Sequence, residues 1–287
     1  MQRHGFPLLA ALCAALVLAS CAGAPKAPAA PEKIRKEREV VVKTPVTAKE
    51  TAFYADGLVD EYSIYKYDAE NRLLLEKAVY DAARPEPVER YSYEYAAGRL
   101  AAELSYDAEG KPRQRREYAY DASGRLASER VLDAKGLPLS SSAYAYDAAG
   151  RRVEWRALDG SGLLRALTAY AYEGDRLVLV EMKDAASRRT GSIRLEYGPA
   201  GLPARKSYLA ADGSLQKYEA MAYEGGRLAS LELRRADGSL ASRSAYSYGP
   251  LGELLSRSDF DGSGALKARL SVEYLVREDR KTEVYYE

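Results

Sequence analysis

One phrase recurs along most of the chain, approximately Tyr-x-Tyr-Asp-x-x-Gly-Arg-Leu. A repeat of this length is a supersecondary unit that buries its apolar face only against neighbouring copies. We therefore expect one array of tandem units. The second aromatic of the phrase, called here the anchor tyrosine, occurs nine times at intervals of 25 to 28 residues: Tyr67, Tyr95, Tyr120, Tyr146, Tyr172, Tyr197, Tyr223, Tyr248 and Tyr274.

The turn after the anchor tyrosine varies in length, and the repeat period varies with it. Turns of three residues follow Tyr95, Tyr172 and Tyr223, and each of these anchors is followed by an interval of 25 residues. Hairpins behave in this way, since turn length sets the register between strands of constant length. A second turn, such as Asp159-Gly160-Ser161-Gly162, lies about half a period further on and has the residues that close tight turns.

These spacings predict an all-β fold, an extended antiparallel β-meander of about 18 strands built from tandem hairpin repeats over residues 51–287. Sheets of more than about 10 strands rarely stay flat, so we expect a single curled sheet with one concave face. A transmembrane barrel is disfavoured because residues 113–117 (Arg-Gln-Arg-Arg-Glu) place charge on both faces. A propeller is a minor alternative, because nine two-stranded units do not divide into four-stranded blades.

The two rings of each Tyr-x-Tyr segment point to one face of the sheet, and the middle residue points to the other. The middle residues are small or charged, which predicts that their face is wet or closely approached. An arginine follows each of several turns, and we expect it to stack on the anchor tyrosine across that turn, as Arg99 on Tyr95 and Arg125 on Tyr120. Cross-strand packing is the main interpretation of the tyrosine rows. The alternative is a stacking platform for a ligand, with these candidate residues: Tyr118, Tyr120, Tyr144, Tyr146, Trp155, Tyr170 and Tyr172.

The amino terminus has the pattern of a bacterial lipoprotein signal peptide. Residues 1–20 combine a short basic start with an apolar run too short to span a bilayer. The segment ends in Leu18-Ala19-Ser20-Cys21, which resembles a lipobox, and Cys21 is the predicted lipidation site. Residues 21–50, rich in Ala and Pro and then in charge, are predicted to be a tether between the lipid and the repeats.

Removal of the signal peptide excludes several kinds of chemistry. The single histidine, His4, leaves with it, and lipid consumes Cys21. Neither a Ser-His-Asp nor a Cys-His arrangement can then form, so we expect no enzyme activity and no cofactor. The mature chain keeps 42 Lys and Arg residues against 42 Asp and Glu residues; this balance does not favour nucleic acid. A weak metal candidate is Asp259, Asp261 and Ser263, which resemble the start of a calcium loop that lacks its final acidic ligand.

Residues 118–126 (Tyr-Ala-Tyr-Asp-Ala-Ser-Gly-Arg-Leu) and 144–151 (Tyr-Ala-Tyr-Asp-Ala-Ala-Gly-Arg) resemble the YD repeats of Rhs-type and teneurin-like proteins. The resemblance covers about residues 52–287. It implies a long antiparallel sheet, which in large members spirals into a shell around a toxin. It implies no activity for this chain.

Together these features predict a non-enzymatic, lipid-anchored protein of the bacterial cell envelope. Its sheet is expected to be a scaffold or binding surface for protein partners, with strand addition at an open sheet edge as one mode. The alternative is a carbohydrate-binding or peptidoglycan-binding surface protein that uses the tyrosine face. Ala22 gives no acidic retention signal after Cys21, so the outer membrane is the expected location, with the periplasmic or external orientation left open.

Overall fold

The computed structural model describes residues 35–286, and their regular structure is entirely β. Within this range no helix is long and apolar enough to span a bilayer. The prediction of about 18 antiparallel strands is confirmed. The strands are β1 (Arg35–Tyr54), β2 (Val59–Tyr67), β3 (Leu74–Asp81), β4 (Glu89–Ala96), β5 (Arg99–Tyr106), β6 (Pro112–Tyr120), β7 (Leu126–Asp133), β8 (Pro138–Tyr146), β9 (Arg152–Asp159), β10 (Leu164–Glu173), β11 (Arg176–Asp184), β12 (Arg189–Tyr197), β13 (Pro203–Ala210), β14 (Leu215–Glu224), β15 (Arg227–Arg235), β16 (Leu240–Tyr248), β17 (Leu254–Asp261) and β18 (Leu266–Tyr286).

The strands form one closed sheet. Each strand pairs antiparallel with the next along the chain, and β1 also pairs with β18, which closes the sheet into a barrel. The prediction of an open curled sheet was therefore wrong, and a single continuous sheet also excludes the propeller. Closure has two physical causes. In a meander the first and last strands run antiparallel only when the strand number is even. In addition, the hairpin that follows each of the first eight anchor tyrosines has a bulge at that tyrosine, as between Ala119 and Tyr120. Such bulges bend and twist a sheet.

The strand that makes the number even is β1, which begins at Arg35. Residues 35–50 were predicted to belong to the tether, and that prediction was wrong for this part of it. The charges that indicated a solvated spacer instead lie along the closing pair of strands. Lys43 Nζ is 3.3 Å from Glu278 Oε1, and Lys49 Nζ is 3.8 Å from Glu273 Oε1.

The described residues fall into two compact units. The larger unit, residues 41–279, contains the closed sheet. The described residues of the smaller unit are 35–40 and 280–286. Here Arg38 Nε donates to Glu283 Oε2 at 2.7 Å, and a guanidinium nitrogen of Arg280 donates to Glu39 Oε1 at 3.2 Å. These contacts place the first residues of β1 beside the last residues of β18.

Few side chains of the sheet are fully buried. Most aromatic rings are half-buried, as expected for a tyrosine-rich sheet with solvent-reaching hydroxyls rather than a thick dry core. Besides the backbone hydrogen bonds of the sheet, tyrosine side chains therefore supply many of the contacts between neighbouring repeats. The buried apolar residues are Ala78, Val79, Ala102, Leu132 and Val272.

Candidate functional site

The two faces of the Tyr-x-Tyr segments differ as predicted. All nine anchor tyrosines are half-buried, whereas all nine middle residues are exposed. The exposed face is therefore wet, and the tyrosine face supplies the contacts between repeats. The middle residues are Lys66, Glu94, Ala119, Ala145, Ala171, Glu196, Ala222, Ser247 and Glu273.

Eight of the nine anchor tyrosines form the same hydrogen bond, which we call the tyrosine clamp. In each, the hydroxyl donates to a backbone carbonyl oxygen 20 or 21 residues earlier, on the preceding strand, at 2.8 to 3.0 Å. Tyr146, for example, donates to Leu126 O on β7. The clamp satisfies a carbonyl near the bulge, where the regular ladder is interrupted. Such a hydrogen bond contributes about 1 kcal/mol.

An arginine covers the ring of five anchor tyrosines, and it comes from the preceding repeat. The guanidinium of Arg125 lies 4.6 Å from the ring centre of Tyr146, not over Tyr120 as predicted, and Arg99 lies over Tyr120 rather than Tyr95. The predicted partner was therefore wrong by one repeat, because the bulge at each anchor shifts the arginine away from its own tyrosine. The other pairs are Arg151 with Tyr172, Arg176 with Tyr197 and Arg227 with Tyr248, at 4.9 to 5.8 Å.

The glycine of the phrase makes room for the same arginine. Gly124 has φ of +78°, a conformation that favours glycine, and a Cβ there would overlap the guanidinium of Arg99. The segment of residues 124–126 therefore has two roles. Gly124 leaves room for Arg99 of the previous repeat, while Arg125 and the carbonyl oxygen of Leu126 hold Tyr146 of the next repeat.

The clamp gives a direct prediction for stability. Tyr146→Phe removes the donor to Leu126 O, and we expect the free energy of unfolding to fall by about 1 kcal/mol. Tyr223→Phe is the matched control, because its hydroxyl reaches only Met221 Sδ at 3.6 Å; we expect a change within about 0.5 kcal/mol. Urea melts followed by circular dichroism measure both values. Equal losses in the two variants would contradict the clamp.

The clamp occupies three of the tyrosines that were predicted as candidate ligand residues. Tyr120, Tyr146 and Tyr172 have their hydroxyls bound to backbone carbonyls and their rings covered by arginines. Their observed contacts are structural. Of the other four candidates, Tyr144 is also held on both counts, because the Arg152 guanidinium lies 4.4 Å from its ring centre and its hydroxyl donates to Glu129. The remaining ligand candidates are Tyr118, Tyr170 and Trp155.

Three of these four residues share one face of neighbouring strands. Tyr144 on β8 lies directly opposite Trp155 on β9, and the Tyr144 hydroxyl donates to Glu129 Oε1 at 3.0 Å. Glu129 lies opposite Tyr118 in the β6–β7 pair. Trp155 Nε1 is buried without a hydrogen-bond partner. The structure therefore places Tyr118, Tyr144 and Trp155 in one aromatic row across β6 to β9.

The hydroxyls of this face are neutral donors. Burial, with an added contribution from the Glu103 carboxylate, raises the pKa of Tyr118 to about 12 and that of Tyr93 to about 12. Burial and the hydrogen bond to Glu50 likewise raise the pKa of Tyr65 well above its usual value. A phenol with a raised pKa stays protonated at neutral pH, so these groups can donate hydrogen bonds to a partner but cannot attract it by charge.

The carboxylates of the weak metal candidate have other partners. Asp261 Oδ1 accepts from the Ser263 amide at 2.9 Å and from its hydroxyl at 2.6 Å. Asp259 Oδ1 accepts from Ser244 Oγ at 2.6 Å, and its other oxygen accepts from Arg257 Nε at 3.0 Å. Over residues 35–286 no three His, Cys, Asp or Glu side chains converge as a metal site would require. Asp261 and Ser263 thus form a turn. The predicted lipidation site, Cys21, lies outside the described residues.

A different surface was missed by sequence reasoning, at the end of the sheet that carries the Asp-Gly turns. Leucines that follow the turn glycine are exposed there: Leu58 by 66%, Leu137 by 60% and Leu163 by 59%. A Cβ on Gly160 would overlap the carbonyl oxygen of Pro138, so the hairpins that carry Leu137 and Leu163 are in contact. The sequence contained an indication of this surface. The residue after the turn glycine is serine in some repeats, as at Ser214 and Ser239, so a leucine at the same position is an apolar residue where a polar one is sufficient.

Comparisons with known proteins identify no family. No family model matches the sequence, and no curated protein matches it significantly. Among solved structures, the chain is similar to the Tc holotoxin pore of Photorhabdus luminescens, with 13% identity, a TM-score of 0.36, and coverage of 79% of this chain and 14% of that one. It is also similar to a porin-like protein from Bacteroides uniformis, with 11% identity, a TM-score of 0.45, and coverage of 80% and 96%. Likenesses this distant carry no conclusion about function.

Proposed function

We propose that this chain is a non-enzymatic, lipid-anchored protein of the bacterial envelope whose closed sheet presents a binding surface for a protein partner. The lipobox ending in Cys21 supports the anchor and an outer-membrane location. The observation that carries the binding role is the set of exposed leucines at the Asp-Gly end, which we call the leucine end (Leu58, Leu137 and Leu163). Leu137 and Leu163 lie on neighbouring turns of this end, and contiguous exposed apolar surface marks protein interaction sites.

Closure of the sheet changes the expected mode of binding. Every strand of residues 41–279 is paired on both sides, so the unit has no open lateral edge to accept an added strand. Binding must then use side chains. At the leucine end these project beyond the turns, and β1 runs from Val41 toward this end.

The test is crosslinking in the native envelope, read by mass spectrometry, with a Leu137→Ser, Leu163→Ser variant as comparison. Serine occupies the same turn position naturally at Ser214 and Ser239, so the substitutions should change the free energy of unfolding by no more than about 0.5 kcal/mol each. We expect one dominant protein adduct with the natural chain and at least a several-fold loss with the variant. An adduct pattern unaffected by the two substitutions rejects the leucine end as the docking surface.

The aromatic row favours a second candidate, a carbohydrate-binding or peptidoglycan-binding surface. Aromatic rings can stack on sugars, and the Trp155 indole nitrogen is a donor without a partner. Co-sedimentation with purified cell-wall glycan separates the two candidates. Retention that is lost in Trp155→Ala but kept in the leucine variant supports the glycan candidate. Failure to sediment with glycan removes it.

A further inference from the structure

The closed sheet has one repeat junction that lacks the tyrosine clamp. Tyr223, on β14, is the anchor tyrosine whose hydroxyl donates to Met221 Sδ, at 3.6 Å, instead of to a backbone carbonyl. Sulfur is a weak acceptor, and β13 is the preceding strand. Three other anchors (Tyr67, Tyr95 and Tyr274) also lack a covering arginine, but each of them keeps the clamp. Tyr223 has neither contact.

The sequence explains the missing contacts. Where other repeats place the arginine that covers the next anchor, this one has Leu202, and Met221 replaces the first tyrosine of the phrase. Pro203 is the first residue of β13 and has no amide hydrogen to donate to a neighbouring strand. The turn after β14 contains Gly225 and Gly226, both with positive φ. Glu224 stands where the turn after Tyr120 has Asp121, whose Oδ1 accepts from Arg125 N at 2.9 Å.

The weakness is confined to one end of the β13–β14 pair. Further along, Arg205 lies 3.8 Å from the ring centre of Tyr218, and Tyr208 donates to Glu219 at 2.6 Å. The regular pairing begins at Arg205 with Ala220, just as it begins at Ser128 with Ala143 in the clamped β7–β8 pair. The two junctions therefore differ in the contacts of the anchor tyrosine and not in the extent of backbone pairing. Residues 203–204 and 221–224 keep their pairing with β12 and β15 but have no clamp between them.

We propose that the closed sheet opens at this junction, by separation of the Pro203 end of β13 from the Tyr223 end of β14. A closed sheet has no free edge, so local opening is favoured at a junction that lacks the side-chain contacts of the other junctions. The Arg205–Tyr218 and Tyr208–Glu219 contacts limit the opening to about one end of the strand pair. The opening would expose backbone groups of both strands that are otherwise enclosed in the sheet.

Hydrogen exchange of the full chain, resolved to short peptides by mass spectrometry, tests this proposal. Peptides that contain residues 203–206 and 220–224 are compared with those of residues 126–129 and 143–147 at the clamped β7–β8 junction. We expect exchange on the order of tenfold faster at the β13–β14 junction. The Leu202→Arg, Met221→Tyr variant restores the phrase found around Arg125, Tyr144 and Tyr146, and it should slow exchange at residues 203–206 and 220–224 toward that of the clamped junction.

Two results would contradict opening of the sheet at the β13–β14 junction. Equal exchange at the two junctions in the natural chain overturns it without reference to any variant. Fast exchange that the restored variant leaves unchanged, in a protein whose urea melt is as cooperative as that of the natural chain, also overturns it, because the missing clamp would then not be the cause.

Discussion

Deletion of half a repeat period should abolish the closed sheet, whereas deletion of a full period should preserve it. Removing the 13 residues from Asp121 to Asp133 takes out one turn and β7. It leaves 17 strands and reverses the direction of every strand that follows. In a meander with an odd number of strands the last strand runs parallel to the first. The antiparallel pairing of β1 with β18 is then lost, and two unpaired edges become available for aggregation.

The full-period deletion is the matched control. Removal of Tyr120 to Ala145 joins Ala119 directly to Tyr146 and leaves 16 strands. The new junction keeps the repeat phrase, and Tyr146 takes the place of Tyr120 over Arg99 and Leu100 O. Repeat arrays lose stability roughly as a sum of unit and neighbour contributions, so we expect a loss of no more than a few kcal/mol.

Urea melts and size-exclusion chromatography of both purified variants give the result. The full-period variant should be monomeric, with one cooperative transition. The half-period variant should aggregate, or unfold without a cooperative transition. Equal tolerance of the two deletions would show that an even strand number is not required. Collapse of both would show that the strand number itself, and not only its parity, is fixed.

The repeat phrase was enough to predict the number of strands and which face of each Tyr-x-Tyr segment is exposed. The closing of the sheet by β1 and β18 was not predicted, and the reason is physical. Turn chemistry and spacing are local, so residues within one hairpin were enough to predict 18 strands and the exposed middle residues. β1 contains no copy of the phrase, and its charges resemble those of a solvated spacer. Their partners, such as Glu273 for Lys49, lie more than two hundred residues away. No single-sequence pattern marks such a pair.

The partner of each arginine could have been predicted from spacing alone. From Arg99 to Tyr120 and from Arg176 to Tyr197 the separation is 21 residues, and it is the same for the other three stacked pairs. The separation between an arginine and its own anchor changes with turn length, from four residues at Tyr95 to five at Tyr120. A contact that is kept in every repeat should have a constant spacing, and only the pair with the next repeat satisfies that condition.

Substitution of Cys21 should abolish membrane anchoring of the protein. Cys21→Ala removes the thiol that carries the lipid, and we expect an unprocessed precursor that incorporates no labelled palmitate. The apolar run of residues 8–18 is too short for a stable membrane helix, so stable attachment requires the acyl chains on Cys21. The loss should therefore be nearly complete rather than partial.

Cys13→Ala is the matched control, since Cys13 lies inside the apolar run and outside the lipobox. This variant should be processed and labelled like the natural chain. Palmitate labelling measures lipid incorporation, gel mobility measures removal of the signal peptide, and fractionation of the envelope measures membrane attachment. If Cys21→Ala is processed normally and remains with the membrane fraction, the lipid anchor is rejected. The crosslinking experiment at the leucine end would then concern a protein held in the envelope by other means.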